Sequence, residues 1–112
     1  MRKISSCKEY FETVHERFLP DQAQGVNATF VYELEGDGGG TWTLKVSDGK
    51  LSVEPGTIPE PTVTYKIKAK DYVDLANGDL NGAKAFLMRK LKVGGSIQMA
   101  QKMNKFLPPA SA

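Results

Sequence analysis

One cysteine and one histidine stand among 112 residues. A single thiol closes no intrachain disulfide and builds no multi-cysteine zinc site, and a single imidazole supplies no His pair. Disulfide scaffolds and the common metal centres are therefore excluded, and neither a metal nor another cofactor is expected. No apolar run approaches the ~18–20 residues that cross a bilayer. The segment Met1-Arg2-Lys3-Ile4-Ser5-Ser6-Cys7 lacks the apolar stretch of a secretory signal, so a reducing cytoplasmic compartment is the expectation. Net charge is only +2, which gives little electrostatic reason for a polyanionic partner. The length suits a single domain over residues 1–112, and by area scaling such a chain buries roughly two thirds of its unfolded surface.

The patterning that is present changes period along the chain. Ser6 and Glu9 have the spacing of a capping box. Ile4, Cys7, Phe11, Val14 and Phe18 follow at steps of three and four, which predicts an amphipathic helix over 6–18 that Pro20 ends. The 21–25 stretch is at most one further turn. The period then becomes two: Ala28, Phe30, Tyr32 and Leu34 share one face, then Trp42, Leu44 and Val46. Glu35 to Gly40 is a flexible loop between them, and Ser47-Asp48-Gly49-Lys50 is a tight hairpin turn into Leu51 and Val53. Three prolines and a glycine make 54–61 a connecting loop. Val63, Tyr65 and Ile67 alternate with Thr62, Thr64, Lys66 and Lys68 in a fourth strand. Asp71 is placed to cap a helix bearing Tyr72, Val73, Leu75 and Ala76, closed by Asn77-Gly78. Asp79 or Asn81 caps another with Ala83, Phe86 and Leu87. Lys90-Leu91-Lys92-Val93, bounded by Gly94-Gly95, reads as a short fifth strand. Ser96 caps a last helix with Ile97, Met99, Ala100, Met103, Phe106 and Leu107 apolar, stopped by Pro108-Pro109. Strands with one apolar face and one Thr/Lys face, together with amphipathic helices, predict a two-layer α+β sandwich.

Catalytic groups do not assemble in this pattern. His15 lies off the apolar stripe and reads as a surface imidazole, and Cys7 lies on it and reads as a small core residue. Asp71 and Asp74 suit helix capping better than an acid–base pair. No Ser/His/Asp set has motif support. The glycines at 36–40 join strand to strand and lack the Gly-Lys-Ser/Thr ending of a phosphate loop. Lys66, Lys68 and Lys70 alternate, yet no exposed aromatics interleave with them as base stacking requires, so a nucleic-acid partner is not expected.

Two features remain. Charge is sorted: residues 1–65 carry 6 Lys/Arg and 10 Asp/Glu, whereas residues 66–105 carry 9 Lys/Arg and 3 Asp. This is either an ordinary solvated surface or a basic side suited to transient contact with an anionic membrane. Met88, Met99 and Met103 fall near Phe86, Phe106 and Leu107, and Met99, Met103 and Phe106 share one helix face. These methionines either fill gaps in a core or form a soft wall for an irregular guest.

The ordered set of motifs resembles the sterol carrier protein-2 domain family. The residues that carry the likeness are Gly40-Thr41-Trp42-Thr43-Leu44-Lys45-Val46, Asp48-Gly49-Lys50, Gly56, Val63-Thr64-Tyr65 and Asp71-Tyr72 ahead of Leu75. They continue with Gly78-Asp79-Leu80-Asn81, Ala85-Phe86, Lys90-Leu91-Lys92-Val93, Gly95 and Met99-Ala100. The fold so implied is α+β: a twisted, five-stranded, mostly antiparallel sheet covered on one face by helices that enclose an apolar tunnel. The resemblance implies binding and transfer of a sterol-like lipid, fatty acid, fatty acyl-CoA or phospholipid, without catalysis. The alternative is an accessory or scaffold module of a lipid or quinone biosynthetic complex. Two departures stand out: Arg89 occupies a position where many relatives have glycine, and Ser96 replaces a common acidic residue. The ending Ala110-Ser111-Ala112 is unlike a peroxisomal Ser-Lys-Leu signal.

Transferring a 16-carbon chain from water gains on the order of 13 kcal/mol at ~0.8 kcal/mol per methylene. A bilayer offers nearly the same, so a carrier needs only soft apolar walls near break-even with membrane. The expected lining is Trp42, Leu44, Phe86, Met99, Met103 and Phe106. Lys84, Arg89 and Lys92 are candidates for holding a headgroup at the mouth, or are plain surface charge.

Overall fold

The computed structural model describes residues 4–107. The first helix, α1 (Cys7–Arg17), starts where the sequence places its cap: the Ser6 hydroxyl accepts from the Glu9 amide at 3.1 Å. The Glu9 carboxylate reaches back to the Ser5 amide at 2.8 Å, one residue earlier than the usual reciprocal bond. Ile4, Cys7, Phe11, Val14 and Phe18 are all buried, as their spacing predicts. Pro20 opens a single 3₁₀ turn, Pro20–Ala23.

Four strands follow: β1 (Asn27–Glu35), β2 (Gly40–Ser47), β3 (Lys50–Pro55) and β4 (Val63–Lys68). Asp48 and Gly49 between β2 and β3 have φ of 52° and 75°, the paired positive values of a type I′ hairpin turn. After β4 come α2 (Ala69–Ala76), α3 (Gly82–Leu87), β5 (Lys92–Gly95) and α4 (Ile97–Phe106). The five strands form one sheet in the order β3-β2-β1-β4-β5. Every neighbouring pair is antiparallel except β1 with β4, which run parallel. Phe30, Tyr32, Leu44, Val46, Val63, Tyr65 and Ile67 point to the helices and form the core with the α1 stripe. Lys45, Lys66 and Lys68 point outward and are exposed. On that outer face Val31 and Thr43, cross-strand partners, are nonetheless buried, and the Thr43 hydroxyl donates to the Gly56 carbonyl at 2.8 Å.

Three boundaries differ from the sequence expectation, the first being that Glu54 and Pro55, placed in the connecting loop, still pair with Thr43 and Trp42 as the end of β3. Asp71 does not cap α2. Strand β4 runs into the helix without a loop, Lys68 is the cap residue with no side-chain bond, and Asp71 lies in the first turn, where a carboxylate faces the positive end of the helix dipole. Strand β5 begins at Lys92 rather than Lys90, because the amides of Lys90 and Leu91 are still bonded to the Ala85 carbonyl at 2.9 and 3.1 Å. Arg89 makes this turn with φ 62°, a left-handed conformation that favours glycine. Pro108-Pro109 lie outside the described residues.

Two buried polar groups fasten the helices. The Asn77 side chain accepts from the Ile4 amide at 2.7 Å and donates to the Ile4 carbonyl at 2.8 Å. Arg17 is 2% exposed; its guanidinium donates to the Ala76 carbonyl at 3.1 Å and lies over the Tyr10 ring at 5.3 Å. The first ties the segment leading into α1, and the second α1 itself, to the end of α2.

Candidate functional site

Helices α2, α3 and α4 do not close fully onto the β4–β5 side of the sheet. Between them lies a cavity of about 400 Å³, within the roughly 300–1,000 Å³ of small-molecule sites. Its size follows from local sequence. The short α3 ends after six residues, and its inward position Ala85 is a fully buried alanine. Residues Gly82 and Ala83 present almost no side chain to the wall. The remaining wall is Leu75 from α2, Leu91 and Val93 from the approach to β5 and β5 itself, and Ala100, Met103 and Leu107 from α4. Phe86, Leu87 and Ile97 form an apolar rim, and they are 46%, 80% and 45% exposed.

Tyr10, Tyr32, Tyr65 and Tyr72 form the floor, and all four are buried. Their rings pack edge-on or stacked: Tyr10–Tyr72 at 5.1 Å, Tyr32–Tyr65 at 5.0 Å and Tyr32–Tyr72 at 5.4 Å between centroids. The hydroxyls of Tyr32 and Tyr65 both donate to the Met103 thioether, at 3.3 and 3.2 Å. The Tyr72 hydroxyl is hydrogen-bonded to those of Tyr10 and Tyr32. Burial raises all four phenols above their ordinary range, Tyr32 and Tyr72 well above it, with neighbouring tyrosines adding to the shift of Tyr32, Tyr65 and Tyr72. They are therefore neutral donors at physiological pH. Gln101 and Asn104 complete the wall, so among the described residues the cavity has no charged side chain.

The sequence-derived candidates divide. Phe86 and Met103 are on the cavity wall. Trp42 lies elsewhere, stacked on Phe11 at 4.9 Å. Leu44 is fully buried under the helices, and Phe106 is fully buried against Phe18 and Phe30. Met99 is half-buried against the core, off the wall. Three of the four tyrosines occupy positions that the sequence assigns to apolar faces, but the pattern alone does not distinguish a phenol lining a cavity from one filling a core.

A second hollow of about 400 Å³ lies on the other side of the 89–92 segment. Lys66, Lys68, Lys70, Arg89, Lys90 and Lys92 line it, with only Glu35 and Asp71 opposed. Lys66 and Lys92 are direct cross-strand partners, an arrangement in which like charges repel. Arg89 and Lys92 thus belong to this basic cleft, whereas Lys84 lies on the exposed side of α3 and lines neither hollow. Cys7 is buried with its thiol on the Ala69 carbonyl at 3.3 Å, and burial pushes its pKa up to about 11, so it is no nucleophile at neutral pH. Among the described residues no helix is long and apolar enough to cross a membrane, and no three acidic, His or Cys side chains group to hold a metal ion.

Known proteins are similar to this chain in sequence and in fold. The chain is 28% identical over 111 residues to human hydroxysteroid dehydrogenase-like protein 2, matching 98% of itself and 27% of that protein. It thus spans about a quarter of that relative's length. It is 34% identical over 97 residues to the oleate-induced peroxisomal protein POX18 of Candida maltosa, covering 83% of this chain and 76% of that one. In structure it resembles the sterol carrier protein domain 2 of Helicoverpa armigera, with TM-score 0.72, 27% identity and 86% and 80% of the two chains covered. It also resembles palmitated SCP2L2 of Aedes aegypti, with TM-score 0.73, 20% identity and 88% and 91% covered. The model of the SCP-2 sterol transfer family matches residues 9–108, and the chain belongs to that family.

Proposed function

We propose that this chain is a non-catalytic, cytoplasmic carrier that binds one apolar guest between α2–α4 and the sheet and exchanges it with membranes. The observation that carries the reading is the uncharged cavity of about 400 Å³, walled by Leu, Val, Ala, Met and aromatic side chains. Such a wall recovers the transfer free energy of an alkyl body and offers no group that would activate a bond. The family and the palmitated relative of similar fold support it.

Delivery follows from what borders the mouth. Phe86, Leu87 and Met88 project from α3 and the residue after it, 46%, 80% and 53% exposed. The chain continues directly into Arg89, Lys90 and Lys92 of the basic cleft. An apolar tip beside clustered cations complements an anionic bilayer, each well-placed cation adding ~1 kcal/mol. Docked in this way, the mouth opens toward the lipid and the guest need not cross water.

The test is uptake of a fluorescent fatty acyl probe by wild type and by Ala100→Phe, which fills the cavity from α4. Wild type takes up one probe per chain and the variant loses uptake by at least tenfold while its melting temperature holds. Equal uptake by both places the guest elsewhere. No uptake by wild type, with biosynthetic enzymes co-purifying instead, favours the scaffold alternative.

A further inference from the structure

The sequence contains four tyrosines, and all four line the cavity. They arrive from four separate elements, α1, β1, β4 and α2, and converge on one floor. A cavity that held only hydrocarbon would be floored more cheaply by phenylalanine, since each buried phenol carries an O–H that must be paired. Tyr10, Tyr32 and Tyr72 bond one another, but the acceptor that Tyr32 and Tyr65 donate to is weak. One thioether sulfur accepts from both Tyr32 and Tyr65, and sulfur is a poor acceptor. Among the described residues the one further acceptor for Tyr65 is the Ala100 carbonyl at 3.4 Å, long for an O–H···O bond. An oxygen atom placed between these hydroxyls would take stronger bonds than the sulfur does.

We infer that Tyr32 and Tyr65 are specificity-determining residues that select an uncharged guest bearing an acceptor oxygen at its buried end: a long-chain or polycyclic alcohol, ketone, aldehyde or ester, held oxygen-inward. The absence of any charged side chain from the described wall disfavours an ionised carboxylate or phosphate at that depth. The apolar rim of Phe86, Leu87 and Ile97 then surrounds the hydrocarbon end of the guest rather than its polar end. This inference rests on the carrier reading and adds the direction and chemistry of the guest.

The experiment measures displacement of the neutral dye Nile red by dodecane, 1-dodecanol and 2-dodecanone, and by dodecanoate held at pH 8. The alcohol and ketone displace the dye at concentrations at least tenfold below those of dodecane and dodecanoate, the worth of about one net hydrogen bond. Tyr65→Phe and Tyr32→Phe reduce the alcohol-over-alkane ratio below threefold, a change of selectivity that simple loss of packing, which weakens alcohol and alkane alike, would not give. Met103→Leu removes the competing acceptor and raises the ratio. Equal displacement by alkane and alcohol, or a ratio unmoved by all three variants, overturns the inference while leaving the carrier reading intact. Failure of the dye and of every competitor to bind overturns both.

Discussion

Arg89→Gly separates two roles of a single position. Arg89 holds a φ of 62° in the turn between α3 and β5. An L-residue in the left-handed region carries a penalty of roughly 1–2 kcal/mol that glycine does not. Glycine gives back about 0.5–1 kcal/mol through the freedom of its unfolded chain. The net is a gain of about 0.5–1 kcal/mol, or a rise of about 2–5 °C in melting temperature for a domain of this size. The same change removes one of six cations from the basic cleft. At ~1 kcal/mol per cation near an anionic surface, affinity for phosphatidylserine-containing vesicles falls about fivefold. Arg89→Ala is the control: it removes the charge and keeps the strain, so vesicle affinity falls equally and the melting temperature does not rise. Thermal unfolding by circular dichroism and vesicle co-sedimentation read the two effects on the same samples. A glycine variant that melts lower than wild type refutes the strain argument. Unchanged binding to anionic vesicles refutes the docking surface.

Asn77→Leu removes two buried hydrogen bonds and strands the amide and carbonyl of Ile4; urea unfolding should show a loss of about 2–4 kcal/mol. Gly95→Ala forces a Cβ against the Thr62 carbonyl at a φ of 85°, and a loss above about 2 kcal/mol is expected in the same assay. Alkaline pH destabilises the fold: Cys7 and the four tyrosines all have raised folded pKa values, so the folded state keeps protons that the unfolded chain releases. Stability from Cys7 is fully present below its unfolded value of 9.0 and is lost as pH rises toward about 11, with the tyrosines extending the loss above 10. A pH series of unfolding midpoints that stays flat from 8 to 11 would contradict this. The Cys7 thiol, 2% exposed, should not react with an aromatic disulfide reagent at pH 8 until denaturant is added.

The sequence by itself determined the local elements. The three-and-four stripe of α1, the alternation of β1, β2 and β4, the Asp48-Gly49 turn and the Ser6 and Ser96 caps are all short-range chemistry, and each stands where its pattern puts it; of the two caps the pattern offers α3, Asn81 rather than Asp79 is the one used. The family was legible too, because its motifs keep order and spacing along the chain. The shape of the cavity was not. Trp42, Leu44 and Phe106 are as apolar as any lining residue, but whether such a side chain meets a neighbour or an empty space depends on how helices from distant parts of the chain rest on the sheet. The burial of Arg17 and the meeting of four tyrosines over one thioether are likewise contacts between elements far apart in sequence. Periodicity says which face turns inward; only the packing of those faces decides where they fail to touch.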